Sequence, residues 1–335
     1  MQQTTDSAAR TTAQTPALTA VPERPALAPW FRVARGEDQL LLEHGGTVIS
    51  FDGRAAGLLL PSLLPLLDGS HTVHDIVEKL GEAVAPATRK ALELLSERGA
   101  LLEGRQPSRD AGPASDSAVF VGALGRVAPD EALARLSKTR VAVGGSSTVA
   151  RALVRVLSEA GLANVQRVEL DDAETRAELL IAAPGPDELT MLRSLNERLL
   201  DRKAPWLQVL PHDGRIVAIG PVFVPGVSAC YACYRVRRGA GSGCEEDIEL
   251  VENTPPRAGA PSPITMIAAG IAGILALRWL GAEDPTLPGR CYSLETDAVL
   301  RLHHDVVLRV PRCPACGAGG ASMPTPWFNA KAFDA

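Results

Sequence analysis

The chain has 335 residues, of which 46% are hydrophobic and 22% charged, with a formal net charge of −5. That length suggests about two domains, that composition can bury a sizeable core, and the acidic balance excludes a general nucleic-acid scaffold. The opening MQQTTDSAARTTAQT holds no apolar run, so no signal peptide is expected there. The longest apolar stretch, Ile264 to Leu277, is short and interrupted by glycine, so a buried helix and no membrane span is expected. Six cysteines, four of them in close pairs and with no sign of secretion, point to a reducing cytoplasm.

Residues 1–28 are polar and rich in Thr, Ala and Gln, and read as a disordered tail. FRVARG, QLLLEHGG and TVISFDG then predict an antiparallel meander from Phe31 to Phe51. Helical periodicity follows from Arg54 to Leu67. Thr72 is placed to cap a second helix carrying Ile76, Val77 and Leu80, and Pro86 starts a third that Gly99 ends. ALLEG reads as a short returning strand. Three strands and three helices over residues 29–104 predict a winged-helix-like unit. Residues 105–118, rich in Pro, Ser and Asp, read as a linker.

Over residues 119–320 the pattern changes to α/β. Arg140 to Val143 is a buried strand, Thr148 to Glu159 an amphipathic helix, and NVQRVELDD the next strand, which together make a βαβ unit. AELLIAAPG, a helix over Asp187 to Leu200 and the two strands of PWLQVLPHDGRIVAIGPVFVPG extend it into a Rossmann-like doubly wound domain. RVRRGAGSGCEED, with Arg235, Arg237 and Arg238 set against Glu245, Glu246 and Asp247, reads as a flexible loop. His303 and His304 are neighbours on a strand, face opposite ways and cannot readily share a metal. Residues 321–335 read as a C-terminal tail.

Four cysteines carry the clearest chemistry. Cys230 and Cys233 lie in ACYACYR and Cys313 and Cys316 in RCPACG, the second pair beginning 80 residues after the first ends (233 to 313). Two such knuckles supply four thiolates to one tetrahedral zinc with no open position, a structural clamp. The alternatives are two disulfides or a redox pair, which suit secreted chains and an early strand end respectively. Cys244 and Cys291 are left over and read as core or loop residues.

A nucleotide-binding turn wants three glycines after the first strand. In VAVGGSSTVA, Gly144 fits the first place, but Ser146 and Val149 stand at the other two. Gly144, Gly145 and the strand-end Asp171 are therefore candidates for a degenerate nucleotide site.

The segment from Gly214 and Val217 through Pro225 and Gly226 to Cys230 and Cys233, with the late second knuckle, resembles the ThiF/MoeB-like adenylating domains related to ubiquitin-activating proteins. The ELDDAETRAELLIA segment lacks the Asn-Leu-x-Arg element of working members. WFRVARGEDQLLLEHGGTVISFDG with its three helices resembles the PqqD-like peptide-recognition element. The combination is similar to one family, the leader-peptide-binding cyclodehydratase C proteins of thiazole/oxazole-modified microcin biosynthesis, whose members often end in a Pro-Trp-rich tail such as PTPWF. The resemblance implies a non-catalytic leader-binding and activating subunit that does not itself use ATP. It implies a YcaO partner, a precursor peptide leader, and pairing of two copies through the ThiF-like domain. An autonomous enzyme adenylating a peptide carboxylate is the alternative. The resemblance also places the leader as an added strand beside Thr47, Val48, Ile49, Ser50 and Phe51, facing Arg89, Leu92, Glu93 and Ser96 of the third helix. A transcription regulator is disfavoured, because Arg89, Lys90 and Arg98 are offset by Glu93 and Glu97 and form no basic face.

Overall fold

The structure is a computed structural model describing residues 20–36, 39–45, 47–106, 111–125, 128–172, 176–243, 247–255, 259–297 and 299–317. The tails beyond residues 20 and 317, Cys244, Glu245 and Glu246 lie outside the described residues. The chain divides into two compact units, Met1–Arg109 with Arg126–Asp130, and Asp110–Gly125 with Glu131–Ala335.

The first unit contains β1 (Pro25–Leu27), β2 (Arg32–Arg35), β3 (Gln39–His44), β4 (Thr47–Asp52), α1 (Arg54–Leu63), α2 (Val73–Leu80), α3 (Ala85–Glu97) and β5 (Leu101–Glu103). The predicted meander is an antiparallel sheet in the order β2-β3-β4, with Leu42 opposite Ile49 and Leu40 opposite Phe51. Alternation places Leu40 and Leu42 in the core with Leu63, Ile76, Leu92 and Leu95. Thr72 caps α2 in a reciprocal box: its hydroxyl accepts from the Asp75 amide at 3.2 Å, and the Asp75 carboxylate accepts from the Thr72 amide at 2.9 Å. β1 lies within the span read as a tail. It pairs with β5, Ala26 opposite Leu102, and Ala26 and Ala28 are fully buried. Three residues among prolines are too few to show a period, so the partner strand decides their conformation.

The second unit contains α4 (Pro113–Gly125), all but the first two residues of α5 (Pro129–Lys138), β6 (Arg140–Gly144), α6 (Thr148–Glu159), β7 (Asn164–Val168), β8 (Leu179–Ala182), α7 (Met191–Asp201), β9 (Trp206–Val209), β10 (Ile216–Phe223), α8 (Tyr231–Ser242), α9 (Ile248–Glu252), α10 (Ser262–Leu280), β11 (Arg290–Glu295) and β12 (Arg301–Val306). The sheet runs β12-β11-β10-β9-β8-β6-β7. β7, β6, β8 and β9 are parallel, and β10, β11 and β12 continue antiparallel. This is the expected Rossmann-like core with a hairpin extension. One face carries α7 and α8 over Trp206, Phe223, Leu195 and Tyr231. The other carries α6 and α10.

Three expectations change. The linker and the stretch after it include α4, whose Pro113 sits where a helix tolerates proline, and α5 is a further helix that no sequence signal announces. The Arg-rich loop is largely α8. There Arg235 forms a nearly buried pair with Glu252 of α9 at 2.6 Å, and Arg237 donates to the Leu308 carbonyl at 2.6 Å. The apolar run is part of a 19-residue helix, α10, long and apolar enough by length and composition to cross a membrane. Half of that stretch is buried, and α10 packs on α6, β9 and β10 as a core helix of the sheet.

Candidate functional site

The four predicted cysteines meet. Cys230 ends the loop before α8, Cys233 lies in its first turn, and Cys313 and Cys316 lie on the segment after β12. Their sulfurs all fall within 4.8 Å of one another. Cys230 Sγ lies 3.8 Å from Cys233 Sγ and 3.7 Å from Cys313 Sγ, and Cys233 Sγ lies 3.6 Å from Cys316 Sγ. Four thiolates held at about 2.3 Å from one zinc stand about 3.8 Å apart, the edge of a tetrahedron. The separations therefore fit a four-thiolate ion site and are far beyond the roughly 2.05 Å of a disulfide. The Val310 amide donates to Cys233 Sγ at 3.3 Å, an outer contact that steadies a thiolate. Burial pushes the Cys230 thiol up. It acts on Cys313 too, but there the amides of Cys316 and Ala315 outweigh it and bring that thiol down to about 7. Cys291 is buried on β11 away from this cluster, its thiol donating to the Gly220 carbonyl at 3.4 Å.

The predicted nucleotide turn lies at the carboxyl end of β6. An added Cβ at Gly144 would lie 2.9 Å from the Leu170 side chain, which would have to shift. Gly145 adopts φ +113, and its Cβ would lie 2.3 Å from the Ala183 carbonyl. Ser147 caps α6, its hydroxyl accepting from the Ala150 amide at 3.1 Å. Asp171 is exposed just beyond β7. One further residue escapes sequence reasoning. Glu188, in the short turn ahead of α7, reaches back to the Ser146 amide. The available signal is its spacing of three from Gly185, the offset of a capping box.

The first unit holds a cleft of about 400 Å³ between β4 and α3, lined by Ser50, Phe51, Asp52, Leu59, Leu60, Ala87, Lys90, Ala91 and Leu94. β4 is the outer strand of its sheet, so one row of its backbone groups has no strand partner among the described residues. Of the candidates on this strand, Ser50 and Phe51 line the cleft, Val48 is 56% exposed, and Ile49 points into the core. The α3 candidates sit elsewhere. Leu92 is fully buried, Ser96 is buried and donates to the Ala20 carbonyl at 3.0 Å, and Arg89 and Glu93 are exposed outside the cleft lining. The lining face of α3 is rotated to Ala87, Lys90, Ala91 and Leu94. Alanines at 87 and 91, four apart, leave the room that makes the cleft.

No known family model matches the sequence, and no curated protein is similar to it. Solved structures are. A heterocyclase in complex with substrate and cofactor is 25% identical, with a TM-score of 0.64 over 88% of this chain and 39% of its own. The heterocyclase TruD is 27% identical, with a TM-score of 0.63 over 88% of this chain and 43% of its own. This chain thus spans about two-fifths of those heterocyclase chains. MccB of E. coli, solved with AMPCPP and MccA, is 14% identical, with a TM-score of 0.64 over 88% of this chain and 99% of its own, a likeness of fold. MccB is a microcin C7 biosynthetic enzyme. These neighbours correct the expectation of a subunit without catalysis of its own: the chains that share its fold are enzymes.

Proposed function

We propose that this chain captures a ribosomally made precursor peptide and takes part in its ATP-dependent modification. The observation that carries the reading is the cleft beside β4, within a fold shared with heterocyclases and with MccB. In this reading the first unit is a PqqD-like winged helix. The peptide's leader lies along the outer edge of β4 as a further antiparallel strand, and backbone pairing supplies affinity that tolerates sequence change. Alternate leader side chains enter the cleft against Phe51, Leu60, Ala91 and Leu94, which sets specificity by shape and apolarity. Lys90 and Asp52 at its rim select polar neighbours. A leader held this way keeps a floppy core segment at high local concentration near the chemistry.

For the α/β unit, the reading closest to the MccB fold is adenylation of a peptide carboxylate, with ATP bound at the carboxyl ends of β6 and β7. A second reading follows from the heterocyclase neighbours. It makes the chain a part of the catalytic assembly of an azoline-forming heterocyclase, which binds the leader and acts on the peptide together with a YcaO partner. In either case Cys230, Cys233, Cys313 and Cys316 would hold one zinc, which ties the segment after β12 to α8 and leaves no position open for a substrate.

Exchange of labelled pyrophosphate into ATP by the full chain, with and without precursor peptide, separates these readings. Peptide-dependent exchange is expected for adenylation. No exchange by this chain, but azoline formation once a YcaO partner is added, would replace it by the second reading. Neither activity in the presence of bound leader would overturn the proposal.

A further inference from the structure

The β6–α6 turn and the loop between β8 and α7 close on a single carboxylate. Glu188 Oε2 accepts from the Ser146 amide at 2.8 Å and from the Gly185 amide at 2.6 Å. The two loops are also fastened without it. The Ala183 amide donates to the Gly144 carbonyl at 2.8 Å, and Ser147 Oγ donates to the Ala183 carbonyl at 2.7 Å. An added Cβ at Gly185 would lie 2.4 Å from Ser146 Oγ, so the Ser146 side chain packs directly against Gly185. In βαβ folds the backbone amides of this turn are the donors that receive a nucleotide's phosphate. Here the Ser146 amide already donates to an anion that belongs to the chain.

We propose that Glu188 is a tethered carboxylate seated in the anion position of this turn, so that a nucleotide phosphate enters only when the Glu188 side chain swings out. Three features make this a displaceable occupant rather than part of the frame. The side chain is only partly buried, it belongs to a single short turn, Pro186–Glu188, and the loops keep their own bonds when it leaves. Burial pushes the Glu188 carboxyl up, but donation from the Ser146 and Gly185 amides and the nearby charge of Arg167 outweigh this and hold it below the usual range. It is therefore an anion at neutral pH and competes with phosphate by charge as well as by position. The proposal takes its ligand, a phosphate-bearing nucleotide, from the adenylating reading of the α/β unit.

The test is binding of ATP and of inorganic pyrophosphate by calorimetry to the full chain as wild type, Glu188→Gln and Glu188→Ala, each first shown to melt as the wild type does. Removing a competing charge and freeing an amide should tighten binding at least about tenfold in Glu188→Ala, with Glu188→Gln between it and the wild type. If one variant fails to fold, the other carries the comparison. Equal affinity in all three, or no binding by any, overturns the proposal. Tighter binding by Glu188→Ala without pyrophosphate exchange keeps the tethered carboxylate and counts against adenylation. Full exchange in the wild type that Glu188→Ala leaves unchanged keeps adenylation and removes the tethered carboxylate.

Discussion

Two places in the α/β unit gather groups suited to an ion, and they differ in what completes them. At the cysteine cluster, four sulfurs from two segments far apart in the chain face one another at a spacing that could hold one metal ion. At the β6–α6 turn the donors are backbone amides, and the anion comes from the chain itself, as Glu188. In the proposed reading the first arrangement would turn a bound zinc into folding free energy. The second would make an external anion compete with an internal one. On these readings the two places would have opposite relations to their ligands.

The largest expected effect falls on the cysteine side. Cys313→Ser or Cys230→Ser should lower bound zinc from about one per chain and cost several kcal/mol of stability, as loss of a structural metal ligand does. Metal analysis and thermal melting check this, and unchanged metal content would remove the clamp. Glu188→Ala should leave metal content untouched, which sharpens the contrast between the two places.

The cysteine cluster was legible because side-chain ligands leave a spacing in the sequence, C-x-x-C, whatever the fold does between the pairs. The meander was legible for a related reason: Leu40 and Leu42 alternate with exposed residues on a strand with one buried face. Glu188 was not, because its partners are amides in another loop, and any residue supplies an amide. The face of α3 is off by a rotation. Leu92 and Ser96 share a stripe that suits a groove, yet both point inward, and the lining alanines are too bland to stand out in a sequence. The β1 strand and α4 were hidden by proline, which marks a helix start or an edge strand as readily as a linker.

Within the first unit the same contrast separates core from cleft. Leu92→Ala should cost about 2–5 kcal/mol, the range for a fully buried leucine, while Arg89→Ala should stay within about 0.5 kcal/mol. Chemical denaturation measures both, and equal effects would contradict the rotation of α3. Ala87→Trp, which fills the cleft from an exposed position, should weaken leader binding about tenfold, or about 1.4 kcal/mol, without changing the melting temperature. Fluorescence polarisation with a labelled leader reads this out.

The smallest effect is on acid stability. Hydrogen bonding from Ser70 draws the Asp68 carboxyl down to about 2, against an ordinary aspartate value near 4. A carboxyl lowered on folding contributes stability above its unfolded value and loses it as the pH falls through the folded one, so the window lies between about pH 4 and pH 2. Asp68 is half exposed, so solvent screening keeps the contribution below about 1 kcal/mol. Asp68→Asn should therefore differ from the wild type at pH 6 and converge with it near pH 2, and a constant difference across that range would assign the effect to packing.

Capture of a peptide by the edge of β4 is the central claim. Hydrogen–deuterium exchange of the full chain, with and without a precursor leader, tests it most directly. The predicted result is leader-dependent protection of the Thr47–Asp52 amides and of the α3 turns around Ala87 and Ala91. Protection confined to the α/β unit, with Thr47–Asp52 exchanging as in the free chain while leader is bound, would contradict it.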